Sequence, residues 1–120
     1  DGRGQTRSYL ATEQNFASVR DMQLRNLIVP LTGDFAGTKT LRSVAAYLKR
    51  NNAKLIAFYI SNVEQYLDKD QSTQFRGNVT ALPVTMSSAV IRFTPPESTY
   101  IEPVWSFLSK RGQLFRLLTD

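Results

Sequence analysis

Leu41, Val44, Ala45 and Leu48 repeat at i, i+3, i+4 and i+7, and seven residues after Leu48 the run "LIAFYIS" is apolar almost without a break. A stripe of helical period followed at once by a continuous apolar run predicts an amphipathic helix feeding a strand, and restricts the chain to the α/β class. Lys39, Arg42, Lys49 and Arg50 fall on the polar side of that helix. Asn51 and Asn52 suit its end, where a left-handed residue is often required.

The same pattern extends outward from this unit. Thr12 and Glu13 supply a cap and an acidic first turn for a helix through about Asn26, with Phe16, Val19 and Met22 as its inward candidates. "NLIVPLT" follows as a short strand limited by Pro30, which has no amide to give to a ladder. The run "KLIAFYIS" reads as a parallel strand covered on both faces. "SNVE", residues 61–64, fits a capping box in which Ser61 takes an amide and Glu64 reaches back, so this second strand also ends in a helix start. "DKDQST" reads as a polar connection, "QFRGNV" as a short helical turn and "SSAVIRF" as a third strand. "TPPES" then breaks the chain before a last helix carrying Val104, Phe107, Leu108, Arg111, Leu114, Phe115 and Leu118, where Gly112 costs about 1 kcal/mol relative to alanine.

The expected architecture is therefore a three-stranded parallel sheet with flanking helices, joined by right-handed crossovers. With 120 residues there is room for one core, so residues 1–120 form a single α/β domain or the C-terminal part of a larger one. Three parallel strands leave an exposed sheet edge unless further chain covers it. The start at Asp1, without methionine, reads as a processed product or an excised piece. No targeting segment is visible, and no apolar run approaches the roughly 18 residues of a membrane span.

Composition limits the chemistry. The chain has no cysteine and no histidine, so it cannot by itself build a Ser-His-Asp triad, a Cys-His dyad or a typical zinc site. The net charge of +5 would attract anions, but the fifteen basic residues are spread along the sequence without a Lys/Arg block, so nucleic acid is not the expected partner.

In an open parallel sheet, ligands sit beyond the carboxyl ends of the strands. "TGDFAGTK" and "SNVEQY" both fall there in the predicted order, so Asp34, Ser61, Asn62, Glu64 and Tyr66 are candidates to face one crevice. Gly33 and Gly37, with Phe35 between them, would free backbone amides at a helix start, which suits an anion, and Lys39 stands nearby. Each has an ordinary explanation. Gly33-Asp34 is a common turn pair, Asp34 an ordinary helix cap or dipole partner, Glu64 half of a capping box and Tyr66 a packing residue. "NVT" at Asn78 matches a glycosylation acceptor, a pattern frequent by chance. Trp105 and Phe107 are read as core residues of the last helix.

The stretch from Arg7 to Leu67, with "VPLTGDFAG" and "FYISNVEQYL" as its most specific parts, resembles a family of uncharacterised bacterial proteins whose fold is like that of class I methyltransferases. The resemblance covers essentially the whole chain but only the C-terminal half of that family. It implies half of a Rossmann-like methyltransferase domain, with residues 27–31 and 54–60 as its fourth and fifth strands. The upstream half would hold S-adenosylmethionine, so that cofactor is implied for a longer parent and for no residue here. The Asn/Asp-Pro-Pro-aromatic signature of amino-methylating members is missing from "TGDFAG". Two functions follow as expectations: the substrate-side half of an S-adenosylmethionine-dependent protein, or a non-catalytic binding or assembly module whose sheet edge docks to another protein chain or to the missing half.

Overall fold

The computed structural model describes residues 4–94 and 98–109. They fall into two compact units, residues 1–32 and 33–120, described separately below.

The first unit contains one helix, α1 (Glu13–Leu24). Thr12 caps it as its sequence implies, accepting the Asn15 amide at 3.1 Å. Beyond its C-cap Arg25, Asn26 has a φ of 54°, which lets the Leu27 and Asn26 amides return to the Met22 and Gln23 carbonyls. None of its residues is buried, so the inward roles expected for Phe16, Val19 and Met22 are not observed: Phe16 and Met22 are exposed and Val19 is only half-buried. Residues 27–31 form no strand. An apolar run this short, broken by Pro30, has too few amides to secure a ladder.

The second unit holds α2 (Thr40–Arg50), β1 (Leu55–Ser61), a 3-10 turn (Val63–Tyr66), α3 (Lys69–Val79), β2 (Val84–Thr94), β3 (Ser98–Pro103) and α4 (Val104–Ser109). Helix α2 is the one its periodicity predicts, with Leu41 and Ala45 buried and Val44 and Leu48 packed on the core. Asn52 takes the left-handed position at φ 51°, and the Ala53 and Asn52 amides bond back to the Leu48 and Lys49 carbonyls. The capping box lies four residues beyond Glu64. Asp68 accepts the Gln71 amide at 2.8 Å and Gln71 accepts the Asp68 amide at 3.0 Å, so "DKDQST" starts α3 rather than linking elements. No side chain caps the turn that "SNVE" enters.

The sheet order is β1-β2-β3, with β1 parallel to β2 and β3 antiparallel to it. This mixed sheet corrects the expected one: the chain does not form the fully parallel sheet of half a Rossmann-like domain. The strand expected at residues 27–31 is missing, and "STYIEP" returns beside β2 because the connection between them is too short for a crossover, which needs about a dozen residues. The continuation expected for the last helix beyond Ser109 lies outside the described residues.

Between Leu55↔Val84 and Ala57↔Ala89 the register slips, so β2 carries extra residues there as a bulge. Buried Ser88 fastens this bulge, accepting the Thr85 amide at 2.7 Å and donating to the Leu55 carbonyl at 2.6 Å.

The three described helices α2, α3 and α4 contribute to one core with the Ile60 and Val90 side of the sheet. At its centre Phe75 lies 6.0 to 6.4 Å, centroid to centroid, from Phe35, Phe58 and Phe107, the first and last edge-on. Phe107 is buried as expected, whereas Trp105 is exposed.

The alternate residues of the strands face the other way. Register places Tyr59, Ile91 and Ile101 in one row across this second face, and Ala57, Ala89 and Pro103 in the next. Tyr59 is 66% and Ile101 73% exposed, so "KLIAFYIS" is covered on one face only, against expectation.

Candidate functional site

The nine candidate residues, five of them expected to face one crevice, separate into three arrangements. The first is the loop 33–38. Asp34 accepts the Ala36 amide on Oδ1 at 2.8 Å and the Gly37 amide on its carbonyl at 3.3 Å, which closes an Asx turn. Phe35 sends its ring to Phe58 and Phe75. A Cβ on Gly33 would run into the Thr40 side chain, so glycine is needed there for close approach. Lys39 stands exposed at the N-cap of α2 and makes no side-chain cap bond.

What holds this loop is Asn78, fully buried on α3. Its Nδ2 donates to the Phe35 carbonyl at 3.0 Å and the Gly37 carbonyl at 2.8 Å, while its Oδ1 accepts from Arg42 Nε at 3.2 Å and Gln74 Nε2 at 3.1 Å. All four hydrogen-bonding positions of the amide are used. The acceptor pattern "NVT" therefore sits on a side chain closed to modification in the folded chain. Asn78→Ala is expected to leave the two loop carbonyls without their donor and to cost about 2 kcal/mol in urea unfolding, with faster amide exchange at Ala36 and Gly37.

The second arrangement follows β1. Ser61 has a φ of 47°, a strained value for a side-chain-bearing residue, and turns the chain out of the strand. Its Oγ reaches Asn62 Oδ1 at 3.5 Å, and Asn62 Nδ2 reaches the Tyr66 hydroxyl at 3.5 Å. Both contacts are long. Tyr66 is 76% exposed and does not pack. Asp34 and Asn62 thus have different partners, and the strand that was to bring the Asp34 loop to a carboxyl edge is absent.

Glu64 belongs to the third arrangement, a charge cluster on the helix-covered face. Its carboxylate pairs with Arg76 at 2.8 Å and with Arg92 at 2.6 Å, and Arg92 pairs in turn with Glu102 at 2.7 Å. Ser106 donates to Glu102 at 3.1 Å, and Arg76 donates to the Phe107 carbonyl. Both guanidiniums lie near the Phe107 ring, 4.3 and 5.2 Å from its centroid, a cation-π arrangement. Among the described residues two positive and two negative side chains balance, as burial of charge requires. Arg92 Nε is buried without a hydrogen-bond partner among the described residues. Arg76, Arg92, Glu102 and Asn78 were not foreseen as partners in the sequence; Asp68-x-x-Gln71 and the strand alternation around Arg92 are the only local signals near them.

Among the described residues no group of three or more acidic side chains is placed to hold a metal, and no helix is long and apolar enough to cross a membrane. A hollow of about 220 Å³ lies beside the β2 bulge, lined by Met86, Ser87, Ala89, Ile101 and Pro103 among others. It opens next to the Tyr59, Ile91 and Ile101 row.

The profile of a domain of unknown function, DUF7790, matches residues 1–118. The chain belongs to the DUF7790 family. No curated protein matches it significantly. The DUF7790 match spans both compact units, so α1 and the segment after it are as much part of the family pattern as the sheet.

Proposed function

We propose that this DUF7790 chain is a non-catalytic assembly module that docks another protein chain on the uncovered face of its sheet. Support comes from one observation: Tyr59 and Ile101 are mostly exposed on either side of Ile91, beside a hollow wide enough for an anchoring side chain. Exposed apolar rows of this kind mark protein contacts more often than solvated surface. Strand β1 strengthens the case, because an edge strand of sequence LIAFYIS carries no charge and no proline to block pairing with another chain. The two groups of polar residues that drew attention in the sequence, around Asp34 and Glu64, are occupied with holding the fold.

Reading the chain as the substrate-side half of an S-adenosylmethionine-dependent protein retains the resemblance as its support and loses the strand order that motivated it. The assembly reading is tested by adding an apolar fluorescent dye to the folded protein and by sedimentation over a range of concentrations. Dye binding or self-association that falls severalfold in Ile101→Lys is the expected outcome. A folded monomer that binds no dye would sink it.

A further inference from the structure

Between Asp34 and Glu64 the chain carries Lys39, Arg42, Lys49, Arg50 and Lys54 and no acidic residue, so this stretch alone accounts for the whole +5 net charge. All five are exposed, and none forms an ion pair among the described residues. The other described arginines of the second unit, Arg76 and Arg92, are neutralised by Glu64 and Glu102.

Spacing that scatters these cations in the sequence gathers them on the helix. At 3.6 residues per turn Lys39, Arg42, Lys49 and Arg50 fall within about 100° of arc, with Ala46 in the middle of the stripe and the core-packed Val44, Leu48 and Leu41 on the far side of the helix. The stripe runs about 16 Å along α2, with one pair of cations at each end. Arg42 is steadied by the bond from its Nε to Asn78, and exposed Tyr47 flanks the stripe with a ring that a base can stack on.

We infer that this face of α2 is a docking surface for the phosphodiester backbone of a nucleic acid. An anionic membrane is the poorer fit, since Tyr47 alone, beside Ser43 and Ala46, offers too little apolar area to insert. An acidic protein surface fits the two lysines less well, since lysine is depleted from protein interfaces, whereas lysine and arginine both make common contacts to phosphate. The surface is distinct from the apolar sheet face, and each stands or falls separately.

The test measures binding of the full-length protein to a labelled 20-base-pair duplex and a 20-nucleotide single strand by fluorescence anisotropy as salt is raised. About four phosphate contacts on the duplex predict a log-log salt slope of about −3.6, so affinity falls roughly 100-fold between 50 and 200 mM salt. Lys49→Gln with Arg50→Gln is expected to roughly halve that slope, while Arg25→Gln with Lys69→Gln leaves it unchanged; circular dichroism confirms that each variant is folded. No binding of either strand form by folded protein at 50 mM salt overturns the inference. So does equal loss in the two double variants, or equally tight binding to phosphatidylserine vesicles at the same salt.

Discussion

Phe75→Ala is expected to lower the unfolding free energy by about 4 kcal/mol, the range for deleting a fully buried aromatic ring. Phe75 is fully buried and its ring meets Phe35 from the loop before α2, Phe58 from β1 and Phe107 from α4. Removing it leaves a cavity bordered by three separate pieces of chain besides α3 itself, and no single neighbour can move in to fill it. A small domain is stable by about 5 to 15 kcal/mol, so a large share of the total would go. The check is urea unfolding followed by tryptophan fluorescence from Trp105; a loss below about 1 kcal/mol would show that the core is not organised around this ring.

Glu64→Ala is expected to cost about 3 kcal/mol, because it removes the carboxylate paired with Arg76 and one of the two carboxylates paired with Arg92, and both guanidiniums are largely withdrawn from water. Arg76 and Arg92 side chains are 9% and 17% exposed, against 65% for Arg25 in the surface pair with Asp21. Removing Asp21 should change stability by less than about 0.5 kcal/mol. A double-mutant cycle of Glu64→Ala with Arg92→Ala should give a coupling of about 1 to 3 kcal/mol that persists in high salt, since partly buried pairs are weakly screened. A stability unchanged by Glu64→Ala would free Glu64 for the ligand role that its place after β1 suggested.

Sequence pattern was enough for α2, its asparagine terminus, the Thr12 cap, and the positions of β1 and most of β2, because each depends on neighbours within one or two turns. It failed where distant contacts decide. "LIVPL" has the composition of a strand, yet among the described residues none pairs with it as one. "STYIEP" has a proline and only six residues, and becomes a strand because β2 offers it a partner. The α3 sequence KDQSTQFRGNV is mostly polar, with Phe75 and Val79 its only large apolar residues at core spacing. Its helix start was visible in principle, since Asp68 and Gln71 have the same spacing as Ser61 and Glu64.

The candidate site shows the same division. Gly33-Asp34 reads correctly as a turn, but its clasp, Asn78, lies more than forty residues away. Glu64 reads in the sequence as half of a capping box or as a ligand candidate, and the capping bond is not formed: its partners are cations from α3 and β2, and no local spacing encodes that meeting. The uncovered sheet face was hidden for a related reason. A continuous apolar run looks the same whether one or both faces are buried, and only the layer arrangement tells them apart.

The most direct test of the central claim is the unfolding free energy of the double variant Tyr59→Lys with Ile101→Lys. If this face of the sheet is a free docking surface, stability should change by no more than about 1 kcal/mol, since each substitution is at an exposed site. A loss of several kcal/mol would mean that the face is buried in the folded protein, and would contradict its role as a surface for another chain.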